Sequence, residues 1–451
     1  MKSLIAKAGW LVALCALTGA GASSQQPLTL KQAIAQALGK NPEARQASAE
    51  ARAAQADASL ARTQLLPQLN FTEDISRGDD PVYVFGAKLR QQAFTAADFA
   101  VNALNRPQPI GNFATRLSGS WVAFDSFRTQ KLIKSANLMK KSSDAAAEAT
   151  NQKIVLEVVA AYQSVLFAER QVAVAQQELD TANALLASVT DHVKAGLAVE
   201  SDRMSAAVNV AARKQELIAA QGGREMAWAQ LRVAMGAPDL KATELQPIAA
   251  HAFPDAALDQ EVETAMKTRF DLAAVNQAQS AQAAAASAAK LDFGPRVSAY
   301  GNWEQDRPTF AGAGGNNWVA GMQINIDIAP FGKRAQLAHE VAALDRADAQ
   351  AAAYRQQVQL QVTEAHIQRQ TAQLSLETAQ AAVDQAAESL RILNNRYGAG
   401  LATITDLLRA EDAERESQSN YWHAVYGNAV AYAQLLFATG MLTPDAAEEL
   451  Q

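Results

Sequence analysis

The residues able to do chemistry in this 451-residue chain are few and scattered. Its five histidines are His192, His251, His339, His366 and His423. No two stand three or four positions apart, the helical spacing that brings two ring nitrogens to one metal. The run Gly312-Ala313-Gly314-Gly315 could approach a phosphate, but no Lys-Ser/Thr pair and no helix start follow it, so it reads as a loop. The acidic runs Glu411-Asp412 and Glu448-Glu449 read as solvated faces or termini rather than acid–base pairs. No catalytic residue, metal ligand or cofactor site is expected, and the chain is read as a non-enzyme.

The single thiol, Cys15, lies in a segment with Lys2 and Lys7 before an apolar run from Ala8 to Leu17 and the small tripeptide Ala20-Gly21-Ala22 after it. That is the pattern of a secretory signal peptide over residues 1–22. Leu14 precedes the cysteine where a lipoprotein signal needs a small residue, so lipidation is not expected. The mature chain would then carry no thiol for a disulfide or a cysteine-ligated metal. No later segment offers the ~18–20 uninterrupted apolar residues of a transmembrane helix.

Composition points to helices. One hundred residues are alanine, about double the share expected of a common residue, while apolar types make up 49% and charged types 19%. Alanine loses no side-chain entropy in a helix, and the apolar share excludes disorder. A net charge of -6 supplies no basic stripe for phosphates, so no nucleic-acid partner is expected.

The chain is internally duplicated. His192-Val193-Lys194-Ala195-Gly196-Leu197-Ala198, with Asp202 beyond it, returns as Arg396-Tyr397-Gly398-Ala399-Gly400-Leu401-Ala402 with Asp406. The offset of 204 residues also matches Phe127 to Phe331 and Met235-Gly236 to Thr439-Gly440. Upstream, Pro42–Pro67 matches Phe270–Pro295 at an offset of 228, so the first copy holds 24 extra residues, assigned to a longer first surface loop around Asp79 to Pro107. Residues 23–236 form the first repeat, 237–256 a periplasmic linker, 257–440 the second repeat and 441–451 a tail.

Each repeat predicts helix, strand, loop, strand, very long helix, tight turn and helix. The long helices, 128–195 and 332–398, contain no proline. Along the first, Ile154, Val158, Ala161, Val165, Val172, Ala175, Leu179, Ala182, Leu186, Val189 and Val193 follow steps of mostly three and four, the rhythm of a supercoiled seam. On the second, the corresponding seam runs from Val341 through Ala351, Tyr354, Val358 and Ala365 to Leu393. Shorter helices from Leu30 to Leu65 and over 203–235, and again from Asp259 to Leu291 and over 406–439, together match that length end to end.

Strands are expected at 66–76, 115–125, 296–304 and 317–328. In the last, Trp318, Ala320, Met322, Ile324, Ile326 and Ile328 alternate with Val319, Gly321, Gln323, Asn325 and Asp327, the lipid-out, lumen-in pattern of an outer membrane strand. Four strands cannot close a barrel, whereas three copies would supply twelve. The expected fold is therefore mainly α with transmembrane β: a homotrimeric twelve-stranded β-barrel, four strands per protomer, continued by a long periplasmic α-helical coiled-coil barrel.

The chain resembles the TolC-like outer membrane factor family over essentially all of its mature length. The resemblance is carried by Leu30-Lys31-Gln32-Ala33-Ile34-Ala35-Gln36-Ala37-Leu38 with Asn41-Pro42, by Leu66-Pro67-Gln68-Leu69, and by Arg396 to Leu408 with Ala410-Glu411. It implies a homotrimer in outer membrane lipids that serves as exit duct for a tripartite efflux pump or a type I secretion system, with a periplasmic adaptor and an inner-membrane transporter as partners. A soluble periplasmic coiled-coil adaptor is the alternative of a different class.

The same resemblance places functional residues. The turns Gly196-Leu197-Ala198 and Gly400-Leu401-Ala402 fall where adaptor hairpins dock, with Gly ending a helix and Leu or Ala offering apolar contact. Tyr397 falls at a gate aromatic and Asp406 at a constricting acid, with Asp202 its counterpart in the first repeat. Three copies of Asp406 would form a carboxylate ring favouring cations. Arg409 stands where some relatives carry a further acid, which allows an Asp406–Arg409 latch or an ordinary i,i+3 helix pair.

Overall fold

The structure is a computed structural model that describes residues 27–247, 253–254 and 256–447. The expected signal peptide and the run Glu448-Glu449 lie outside the described residues.

The first repeat begins with α1 (Leu30–Lys40) and α2 (Pro42–Thr63), continues through β1 (Gln68–Gly78) and β2 (Ile110–Phe124), and ends with α5 (Arg128–Lys194) and α6 (Glu200–Ala234). Between the two strands lie α3 (Pro81–Arg90), a 3₁₀ turn (Ala96–Phe99) and α4 (Val101–Asn105). The second repeat runs α7 (Leu258–Thr268), α8 (Phe270–Leu291), β3 (Arg296–Arg307), β4 (Gly315–Asn325), α9 (Phe331–Gly398) and α10 (Ile404–Ala438).

α5 and α9 hold 67 and 68 residues, so each spans roughly 100 Å at 1.5 Å per residue. α5 packs on α2 and α8 in one half of its length and on α6 and α10 in the other, while α9 packs on α8 and α10. The helices thus stand in four columns: α2 above α6, then α5, then α8 above α10, then α9. The main core lies where these columns meet α1, around Ile34, Ile154, Val158, Tyr162, Trp228 and Leu231, all essentially inaccessible to solvent.

The two expected N-terminal helices are each broken near their start, and the break makes the junction of each stacked column. Asn41-Pro42 separates α1 from α2: proline removes a backbone donor, and Asn41 accepts the Glu43 N–H at 2.8 Å. Arg269 separates α7 from α8. The Asn41 amide donates to the Ala234 carbonyl at 2.9 Å, and the Arg269 guanidinium donates to the equivalent Ala438 carbonyl at 3.1 Å. Against these junctions sit Gly236 and Gly440 at φ of 61° and 73°, where a Cβ would press on the backbone of Asn41 and Arg269.

The strands form one antiparallel sheet in the order β1-β2-β3-β4, with β1 and β4 at its open edges. The register aligns Leu69, Phe71 and Ile75 with Phe113, Leu117 and Trp121, then Val297, Ala299 and Trp303, then Trp318, Met322 and Ile324 on one face. Asn70, Thr72, Ser118, Arg116, Asn302, Glu304 and Asn317 share the other. β4 ends at Asn325, three residues before the expected limit, and exposed Ile326 and Ile328 continue beyond the ladder. There Asp327 turns to the Lys333 ammonium at 2.6 Å, and Pro330 caps α9. β2 begins at Ile110, five residues early, and carries a bulge between Val122 and Phe124. Within the protomer Val341 is exposed on α9, while Ala351, Val358 and Ala365 of the same expected seam are buried.

Candidate functional site

The two tight turns end their helices by the same device. Gly196 and Gly400 adopt φ of 76° and 71°, a conformation that non-glycine residues enter only with strain. Leu197 N–H reaches back to the His192 carbonyl and Leu401 N–H to the Arg396 carbonyl, both at 2.8 Å, while the glycine N–H groups bond Val193 and Tyr397. These paired bonds satisfy carbonyls that a helix end otherwise leaves open. Leu197 and Leu401 are then turned outward, 78% and 69% exposed, with Ala198 and Ala402 partly covered beside them.

Both turns lie at one end of the columns, because a single apolar cluster joins them. Val189 of α5, Ala206 of α6 and Ile404 of α10 are buried together, with Val193, Tyr397 and Leu408 packed around them. Tyr397 is therefore part of the contact between the two hairpins. Burial raises the pKa of its phenol, and the nearby Asp202 carboxylate adds to that effect.

Asp202 and Asp406 occupy the same place in the duplicated helices but not the same environment. Thr403 caps α10, and the Asp406 carboxylate accepts from the Thr403 N–H at 3.1 Å and hydroxyl at 2.7 Å, closing a reciprocal capping box. These two bonds, aided by the charges of Arg409 and Arg396, hold its carboxyl below the usual aspartate range. At the corresponding start of α6 stands Val199, which has no side-chain acceptor, and among the described residues Asp202 makes no side-chain hydrogen bond. Among the described residues Arg409 forms no ion pair within the protomer, and the Asp406 carboxylate is directed to its own helix start.

A second tie between the hairpins lies further along the columns and was not anticipated. The largely buried Arg213 of α6 donates to Asp412 of α10 and to Glu216, both at 2.8 Å, and Arg415 stands 3.6 Å from Asp412. Asp412 lies on a solvated face, as expected, and remains more than half exposed while it holds Arg213. Its neighbour Glu411 is partly enclosed, and burial raises its carboxyl pKa. Glu178 of α5 faces the same cluster; burial first, then the Glu414 and Glu411 charges, push it up to about 7 against the pull of Arg213 and Arg415. An arginine at helical spacing from Asn209 and Glu216 was the available sequence signal, but its partner is 199 residues away.

Among the described residues no three His, Cys, Asp or Glu side chains cluster as a metal site, and no helix is long and apolar enough to cross a membrane. Two duplicated halves, four helical columns and a sheet with one apolar and one polar face define the class: an elongated, internally duplicated helical protomer that carries a small antiparallel sheet. The family model described as outer membrane efflux protein matches residues 33–237 and 262–441, and the chain belongs to that family. Among solved structures it is similar to a membrane protein from Pseudomonas aeruginosa, at 22% identity and a TM-score of 0.79 over 91% of this chain and 93% of that one. CusC, in a study of folding and transmembrane channel formation, is 18% identical with a TM-score of 0.78, covering 91% and 92% of the two chains. The open state of the MtrE outer membrane channel of Neisseria gonorrhoeae is 20% identical with a TM-score of 0.75, covering 92% and 90%. A search of curated protein sequences returns no match.

Proposed function

We propose that three copies of this chain close into an outer membrane exit duct of a tripartite efflux pump, passing substrate from a periplasmic adaptor and an inner-membrane transporter to the cell exterior. The observation that carries this reading is where the protomer is unfinished. The sheet stops at unpaired β1 and β4, and an open edge in a membrane leaves backbone polar groups unsatisfied. The helical columns are unfinished on the same two sides. Exposed Val208, Ile218, Met226 and Val233 lie on α6, and Leu360, Ile367 and Leu374 repeat every seven residues on α9. A ring of three protomers joins β4 to the next β1 and α9 to the next α2 and α6, burying both sets at once. The apolar sheet face then meets lipid and the polar face lines the lumen.

In this duct the exposed Leu197 and Leu401 tips receive the adaptor's helices, and Asp202, Tyr397, Asp406 and Arg409 surround the periplasmic opening. Three Asp406 carboxylates, ionised at physiological pH, favour cations there, and Arg409 moderates that preference. Affinity isolation of the intact complex from membranes tests the assignment. Co-purification of an adaptor and an inner-membrane transporter with a heat-dissociable trimer is expected. A monomer in the soluble fraction would refute it.

A further inference from the structure

The residues that lengthen the first surface loop are folded, and they are docked on one side of the sheet. Phe85, Phe94 and Phe99 stack edge to face in succession, with centroids 4.8 and 5.1 Å apart, and Lys88 pairs with Asp98. This small apolar centre gives α3 and α4 a shape of their own. The attachment of α3 is polar and lies on the face that carries Asn112, Arg116, Glu304 and Asp306. The Gln91 amide donates to the Asn112 side chain and to the Gly111 carbonyl, both at 2.9 Å, and Asn112 donates to Asp306 at 2.6 Å. Asn317 of β4 donates to the Arg90 carbonyl at 3.3 Å. The Arg90 guanidinium stands 3.9 Å from Glu304, which Arg116 holds at 3.1 Å. Gly315 completes the fit, since a Cβ there would overlap the Arg90 carbonyl oxygen and the Gln92 side chain.

All of these contacts fall at the loop end of the strands. Twelve strands spaced ~4.8 Å apart and tilted ~45° give a barrel roughly 26 Å across between backbones. A helix with its side chains is about 10–12 Å thick, so three copies of α3 leaning over the polar face fill most of that mouth.

Resting on the trimeric duct reading above, we infer that α3 and its insert form a size-limiting constriction at the outer exit, clamped to the lumen wall by Gln91 and Arg90. The clamp is releasable. Asp306 is fully buried with Oδ2 lacking a hydrogen-bond partner, and Glu304 Oε1 is likewise buried without one. Both oxygens gain water when α3 lifts, which offsets part of the loss of the clamp. A passing substrate therefore meets a helix held by a handful of polar bonds, not a sealed plug.

The test uses a cysteine at Ser120, an exposed position on the polar face towards the periplasmic end of β2. Intact cells carrying Ser120→Cys are treated from outside with a small membrane-impermeant maleimide and, separately, with the same maleimide on a bulky polymer. The small reagent is expected to label the native-loop protein readily and the bulky one slowly. Adding Gln91→Ala, which removes two neutral amide bonds, or Gly315→Ala, which displaces the Arg90 carbonyl, is expected to accelerate only the bulky reagent, about tenfold, the change that follows from losing about 1.4 kcal/mol from the closed arrangement. Equal rates for the bulky reagent in all three proteins would overturn the constriction. Failure of the small reagent in every protein would instead refute the lumen assignment and with it the trimeric duct. If Gly315→Ala does not assemble as a trimer, Gln91→Ala, which removes only an amide, decides the matter.

Discussion

Ionisation of Glu178 should set how firmly the two hairpins hold together. Its carboxyl lies between α5, α6 and α10, faced by Glu411, Glu414, Arg213 and Arg415, and titrates at about 7 where an ordinary glutamate titrates at 4.5. Between those two values the folded chain keeps a proton that the unfolded chain has released, so stability falls as pH rises through the window. The displacement corresponds to about 3 kcal/mol for a fully enclosed group, and the solvent reaching this side chain reduces it to about 1–2 kcal/mol. Glu178→Gln keeps the shape and removes the charge. At about pH 8 the variant trimer should melt a few degrees above wild type, and at about pH 5 the gap should narrow severalfold. Scanning calorimetry of the detergent-solubilised trimer at the two pH values reads this directly. A lower melting temperature for Glu178→Gln at the higher pH would mean that Arg213 and Arg415 stabilise an ionised Glu178, and the burial argument would fail.

Three further outcomes are expected. Thr403→Val gives the second hairpin the N-cap of the first, breaks the capping box at a cost of about 1 kcal/mol and frees the Asp406 carboxylate; planar-bilayer recordings should then show altered cation selectivity, and unchanged selectivity would remove Asp406 from the gate. Leu197→Asp combined with Leu401→Asp should abolish crosslinking to the adaptor while leaving the trimer intact on a gel; undiminished crosslinking would move the docking site elsewhere. Gly440→Val forces a side chain onto the Arg269 backbone at a positive φ and should cost about 3 kcal/mol, seen as loss of the trimer band on an unheated gel; a normal yield of trimer would show that the α7–α8 junction tolerates displacement.

The periodicities that act within one segment were legible from the chain. Gly196 and Gly400, repeated 204 residues apart, already marked the helix ends, because only glycine enters their left-handed conformation without strain. The alternation of Trp318 to Ile324 likewise identified the two faces of β4, since strand side chains point to opposite sides in turn. What escaped was whatever depends on partners distant in the chain. Leu30 to Leu65 read as one helix because the break at Asn41 is anchored by Ala234, whose nearness no local pattern reports.

The sequence by itself determined the duplication, the two helices of nearly 70 residues, the turns and the strand faces, because each follows from residue type at short spacing. Tertiary structure alone decided the roles of individual charges. Asp202 and Asp406 are equivalent in sequence, yet Thr403 turns one carboxylate back onto its own helix and Val199 leaves the other without a cap to hold. Asp412 stays solvated yet receives Arg213 from 199 residues away, and the fully buried Asp306 is held by Asn112 from 194 residues away. Burial and pairing are properties of what surrounds a group, and for these groups the surroundings come from elements that only folding brings together.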